Sequence, residues 1–220
     1  MHIKPTATVR LAVPRISPQL DEWDGDLVEP ALDMRGFHVA DIDLFEVKSL
    51  LLDDCELERG SLVGVKLDKV EITDARLKSV EAAGLRTYKA EFLRVTFNNC
   101  RFTGADFPEA TFEDCTFKNV KFDEAGFRFA SFKRVRFEDC MLARTDFSSA
   151  KLQHVAFDDC GLEQTNFASA TCTQVDLGHE DLSNCKGILG LKGATILDEQ
   201  LIQIAPLLAS ELGFKTRSEA

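Results

Sequence analysis

Polar-tipped aromatics are almost missing from this chain: one Trp and one Tyr stand beside 17 Phe. A buried Tyr or Trp needs a partner for its O–H or N–H, so a bias this strong toward Phe points to a dry, stacked interior. No apolar run approaches the roughly 20 residues of a membrane-crossing helix. The start, Met-His-Ile-Lys-Pro-Thr, lacks the apolar core of a signal peptide, and the cytoplasm is the expected compartment. Positive charge is in deficit, 26 Lys and Arg against 37 Asp and Glu, for a net −11. That balance favours solubility and disfavours direct binding to nucleic acid or an anionic membrane. Catalytic and metal signatures are absent too: no C-x-x-C or zinc-finger spacing, no G-x-S-x-G, P-loop or H-E-x-x-H. No enzyme chemistry, cofactor or metal is therefore expected.

What is present is a period of five. From Phe92 the steps run Phe97, Phe102, Phe107, Phe112, Phe117 and onward, every one Phe or Leu as far as Leu182 except Cys172. Backward they run Thr87, Ala82, Leu77, Ile72, Leu67, Leu62, Leu57, Leu52, Val47, Ile42 and Phe37. Neither the helical period of 3.6 nor the strand period of 2 produces this spacing. Two residues before each large residue lies a small one, as in Ala90, Val95, Cys100, Ala105 and Ala110. The other three positions are mostly polar, with the Gly, Ser, Asn and Asp that tight turns require. One large and one small inward residue per five describe a chain that turns a corner every five residues.

The small column also repeats every twenty. Positions 90, 110, 130, 150 and 170 are all Ala, and 95, 135, 155 and 175 are Val with Cys115 between. Four five-residue units therefore make one coil. Units such as Ala105-Asp106-Phe107-Pro108-Glu109 and Ala150-Lys151-Leu152-Gln153-His154 resemble the pentapeptide-repeat family. The resemblance implies an all-β solenoid, the family's right-handed quadrilateral β-helix. From Ile42 to Leu182 the step holds through 29 repeats, about seven coils, or a rod of about 34 Å at ~4.8 Å per coil.

Three segments follow: an N-terminal capping segment 1–36, the β-helix 37–185, and a C-terminal helical cap and tail 186–220. The first holds Pro5, Pro14, Pro18 and Pro30, with Trp23 as a lid residue. At the other end Thr195 reads as the N-cap of a short helix to Ile204, and Pro206 as the start of a second helix that Gly213 stops. Leu201, Ala205, Leu208 and Leu212 make an apolar stripe that Ile204 and Leu207 widen beyond what one capping contact needs. The family resemblance implies a homodimer through this region, with Ile204, Leu207 and Leu208 as contacts; a monomeric cap is the alternative.

Ala82 and Thr87 fall where large inward residues belong. Either Leu85 refills the core from the small column, as Phe45 does beside Val47, or residues 80–90 bulge. Cys55, Cys100, Cys115, Cys140 and Cys160 occupy the small column, Cys172 the large one, and Cys185 stands off the repeat. Cysteine there serves as a small hydrophobe. His154 and His179 point outward with no ligand set around them.

Function must then sit on the outward positions. Stacking at twenty puts Lys133-Arg134 over Glu113-Asp114, cation on anion, but Asp158-Asp159 over Glu138-Asp139, acid on acid, a repulsive arrangement. Those four acids and the outward Phe129 are the candidate partner surface, with Leu93 a further apolar contact. The leading reading is a scaffold or binding module that offers a rigid acidic rod to a protein partner. The alternative comes from the resemblance: some family members mimic duplex DNA, bind DNA gyrase and protect it from quinolones. Residues 41–182 hold 27 acids and 18 bases, whereas duplex DNA of the rod's length carries roughly 20 negative charges.

Overall fold

The computed structural model describes residues 9–23, 31–44, 46–178 and 180–215. Among them the chain winds as a right-handed, four-sided solenoid of about seven coils closed by one C-terminal helix. Its strands are β1 (Asp21–Glu22), β2 (Ala31–Arg35), β3 (Phe37–Ala40), β4 (Ser49–Glu58), β5 (Lys69–Lys78), β6 (Glu91–Asn98), β7 (Thr111–Lys118), β8 (Ser131–Glu138), β9 (Lys151–Asp158) and β10 (Thr171–Asp176). They form one parallel sheet in the order β1-β3-β4-β5-β6-β7-β8-β9-β10, with β2 also on β4. From β4 onward each residue pairs with the one twenty further on: Ser49 with Lys69, Thr111 with Ser131, Lys151 with Thr171. These strands line two sides of the rod. Single bridges line the other two, through Ser61, Glu81, Arg101 and Lys121, and through Lys66, Arg86, Asp106 and Gly126.

The corners explain the period. In most units the residue two beyond the large inward one turns the chain with positive φ: Arg94 at 53°, Asn99 at 55°, Gly104 at 65°, Glu109 at 57°. Only glycine takes this conformation without a Cβ clash, so each other corner costs about 1–2 kcal/mol. The core offsets that strain. Phe92 stacks on Phe112 at 4.7 Å with the rings 2° apart, and Phe112 on Phe132 at 4.9 Å. Around the coil the same rings meet edge-on, Phe92 against Phe97 at 5.7 Å and 66°. Both are favoured arrangements, worth about 0.5–1.5 kcal/mol per pair beyond the buried area. In the small column, polar side chains bond to the carbonyl 23 residues back: Cys100 Sγ to Leu77 O at 3.5 Å, Thr145 Oγ1 to Phe122 O at 2.9 Å, Thr165 Oγ1 to Leu142 O at 2.7 Å. Among the described residues no buried side-chain nitrogen or oxygen lacks a partner.

Residues 80–90 keep the regular coil. Ala82 and Leu85 are both buried, and Glu81 and Arg86 bridge to the coils on either side, so a large-for-small exchange fills the core without a bulge.

The first coil departs from the step of five. Met34 pairs with Leu52 and Val39 with Leu57, eighteen residues apart, and Leu44 N–H donates to Ser61 O at 2.8 Å. Its large inward residues are therefore Met34, Val39 and Leu44, and the register through Val47, Ile42 and Phe37 is two residues out of phase. Ile42 and Val47 are apolar and buried in either phase, so the sequence does not betray the slip. Phe45 lies outside the described residues.

At the C-terminal end the small column continues through Glu180 and Cys185, both buried. Cys185 Sγ donates to Leu162 O at 3.5 Å, the same bond its predecessors make, so Cys185 belongs to the repeat. Thr195 is no helix cap. Its N–H donates to Val175 O and its carbonyl accepts from Leu177, which adds a last rung to the ladder. A 3-10 turn (Ile188–Leu191) leads to a single helix, α1 (Asp198–Glu211), where two were expected. Pro206 lies inside α1; the carbonyl that loses its helical donor is at Ile202, an exposed residue, where solvent is able to satisfy it. Gly213 at φ 79° ends the helix as expected.

Candidate functional surface

Cations generally stand over anions on the outward positions. Arg94 grips Asp74 through Nε and Nη2 at 2.7 and 2.6 Å, and Arg134 grips Asp114 in the same way. Lys133 reaches Glu113 at 2.9 Å, Lys78 reaches Glu58 at 2.9 Å, and Arg144 reaches Glu124 at 2.8 Å. The Arg94 hydrogen bond holds the Asp74 carboxyl below the usual carboxylate range. Lys133 and Arg134 do the same for Glu113. Strands repeated at twenty place opposite charges one rung apart, about 4.8 Å.

The acid-on-acid stack is there, but half of it is paired. Glu138 lies in register below Asp158. Lys118 below reaches Glu138 at 2.6 Å, and Arg136 reaches Asp158 at 2.9 Å. The expected repulsion between these two is thereby largely offset. Asp139 and Asp159 occupy positive-φ corners above one another, exposed, and no cation pairs with either among the described residues. Negative charge accumulates from there toward the C-terminal end. Burial raises the Asp158 carboxyl, with Asp176, Glu138 and Asp159 adding to it. Glu180 is pushed up to about 7 by burial and by Asp159 and Asp158. Its carboxylate fills the small column, where it accepts the Cys160 N–H at 2.9 Å.

Phe129 is not part of this patch. Ten residues from Asp139, it stands half a coil away, on the diagonally opposite corner. It is 64 % exposed with φ 60°, a bulky ring in a conformation that favours glycine. Leu93 is half-buried and His154 exposed at a corner; His179 lies outside the described residues. Burial pushes the Cys115 thiol up to about 12 and the Cys100 thiol to about 11, which disfavours a nucleophilic thiolate at these two positions.

Three residues expected at a dimer contact turn inward instead. Ile204 is buried, and Leu207 and Leu208 pack against the core. They face the last coil because Gln200 and Glu211 tie α1 down in that rotation. Gln200 Nε2 donates to Leu177 O and Glu180 O at 2.6 and 2.7 Å, and Glu211 accepts the Ile188 and Leu189 N–H groups. The apolar side chains left in solvent are Leu201, Ile202, Leu212 and Phe214.

One feature escaped the sequence reading. Residues 12–17 do not cover the end of the rod; they lie along its side, bonded to Asp114, Asp74 and Asp54. The signal was available as Asp at positions spaced by multiples of twenty on one corner.

The family model described as "Pentapeptide repeat region" matches residues 90–167 and 110–186. No curated protein matches the chain. Among solved structures, a trypsin-treated form of QnrB1, a plasmid-mediated fluoroquinolone resistance protein, is similar at 19% identity over 90% of this chain and 96% of that one, with a TM-score of 0.42. HetL, a pentapeptide repeat protein involved in heterocyst differentiation regulation from the cyanobacterium Nostoc sp. strain PCC 7120, is similar at 16% identity over 76% and 90%, with a TM-score of 0.32. With a repeat of five, four units to the coil and stacked Phe columns within, the chain is a solenoid of pentapeptide repeats, and its residues 90–186 match the pentapeptide-repeat family.

Proposed function

We propose that the rod is a non-catalytic protein-binding module and that it meets its partner through the acidic corner of Asp139 and Asp159, with Glu138 and Asp158 beside it. One observation carries this reading: the repeat stacks cation over anion along most of the rod, yet leaves these two corner carboxylates exposed and with no cation paired to them among the described residues. Like charges one rung apart cost stability and are retained at no benefit to the core. A partner for this corner presents basic side chains, and its association fades with salt.

The test compares capture of a partner from a lysate by the wild-type protein and by a variant with Glu138→Gln, Asp139→Asn, Asp158→Asn and Asp159→Asn. Capture is expected to weaken in the variant and with rising salt. Equal capture by a folded variant removes the corner from the interface.

The DNA-mimic reading stays as the second outcome, favoured by the net negative rod. Against it stand the ion pairs between coils, which spread bases over the sides instead of leaving one sign. Relief of quinolone inhibition in a gyrase supercoiling assay would favour it over the first.

A further inference from the structure

The corner that carries positions 54, 74, 94, 114 and 134 reads Asp, Asp, Arg, Asp, Arg. A segment of the chain's own N-terminus lies across it. Ala12 N–H donates to Asp114 Oδ1 at 3.0 Å, Arg15 N–H to Asp74 Oδ1 at 2.9 Å, and Ser17 N–H to Asp54 Oδ1 at 2.6 Å. Ser17 Oγ donates to the other oxygen of Asp54. Five residue steps thus cross three coils, about 14 Å, which is nearly extended chain.

We propose that this column is a docking track for an extended, basic peptide segment of a partner protein, and that residues 9–17 are a displaceable strap that occupies it in the partner's absence. Four observations support it. The track reads three main-chain N–H groups, which any extended segment supplies, and among the described bonds only the Ser17 hydroxyl on Asp54 adds a side-chain donor. Arg94 and Arg134 already hold Asp74 and Asp114 in place through bidentate contacts, so these two of the three acceptors keep their geometry when the strap leaves. Charge is complementary: Lys4, Arg10 and Arg15 precede the first acid of the chain, Asp21, whereas the rod is acidic. The strap is shallow. Arg10, Ala12, Val13, Arg15 and Ser17 are exposed, and only Val9, Leu11, Pro14 and Ile16 are half-buried, so it belongs to the low-stability end of the molecule. This track is a different corner from that of Asp139 and Asp159, and its failure leaves the reading above untouched.

The experiment uses the full chain and a labelled synthetic peptide of residues 9–20, read by fluorescence anisotropy. Arg10→Glu with Arg15→Glu reverses the strap's charge beside Asp74 at exposed positions that the core does not use. That variant is expected to bind the peptide at least about tenfold tighter than the wild type, whose own strap competes at high effective concentration. Adding Asp54→Asn and Asp74→Asn to the variant should reduce this binding. A peptide N-methylated at the amides of residues 12, 15 and 17 keeps its charge but loses its three main-chain donors, and should bind at least about tenfold more weakly than the plain one. The proposal is overturned if the variant binds no better than the wild type. It is equally overturned if the methylated peptide binds as well as the plain one, because charge alone would then explain the association.

Discussion

Glu180 is the place where pH should act on the cap. It stands in the small inward column directly over Cys160, buried, its carboxylate on the Cys160 N–H. Burial first, then Asp159 and Asp158, raises it from 4.5 to about 7. An acid whose folded pKa is raised favours folding in its neutral form. Its stability is fully present below about 4.5 and is lost as pH rises through about 7. A difference of about 2.5 pH units corresponds to about 3 kcal/mol between pH 4.5 and pH 8. In a solenoid this falls on the last coil and on α1, which Gln200 fastens to Leu177 O and Glu180 O. Glu180→Gln keeps an acceptor for Cys160 and abolishes the charge. At pH 8 the variant should melt later than the wild type, by up to about 6–12 °C if unfolding is global, or should lose an early fraying transition if the cap opens separately. At pH 5 the two should nearly coincide. Thermal melts in steps from pH 5 to 8 read this directly, above the range in which Asp74, Glu113 and Asp114, all lowered, would lose their pairs. Parallel profiles for variant and wild type across that window would refute the reasoning.

Two further outcomes follow from the packing. Phe132 is fully buried and stacked on Phe112, so Phe132→Asp, an unpaired charge in the core, should abolish the cooperative melt, while Ala130→Phe, overpacking a wall of alanines, should cost about 1–3 kcal/mol; an unchanged melting temperature for either would place the inward register wrongly. The exposed Leu201, Ile202, Leu212 and Phe214 leave an apolar face on α1 and just beyond it, and Ile202→Glu with Phe214→Ser should convert a dimer into a monomer by light scattering, which a monomeric wild-type protein would contradict.

Most of the coil was legible because a period of five with Phe or Leu inward admits few structures, and the recurrence of Ala at 90, 110, 130, 150 and 170 set four units to the coil. Legibility failed where both choices were apolar. Ile42 and Val47 fit either phase of the first coil, and only the pairing of Met34 with Leu52 and Val39 with Leu57 settled it. It failed likewise at the C-terminus, where Thr195 and Pro206 carry local helix-boundary signals that tertiary contacts override: the last β-rung claims Thr195, and solvent at Ile202 lets α1 run through the proline. The outward stack of Glu138 and Asp158 was visible as a spacing, but their cations, Lys118 and Arg136, come from a neighbouring coil.

The sequence by itself determined the architecture, because a one-dimensional repeat makes each unit's neighbours the same residues twenty positions away, and the core follows from local identity. Only the tertiary structure decided what the ends and corners do. There the donors come from outside the repeating strands: Ala12, Arg15 and Ser17 on Asp114, Asp74 and Asp54, and Gln200 of α1 on Leu177 and Glu180, at the repeat's own offsets of 23 and 20 but from a helix. Contacts of that kind depend on where the flanking chain lies after the rod has formed: the repeat spaces the acceptors, but it does not say which segment meets them.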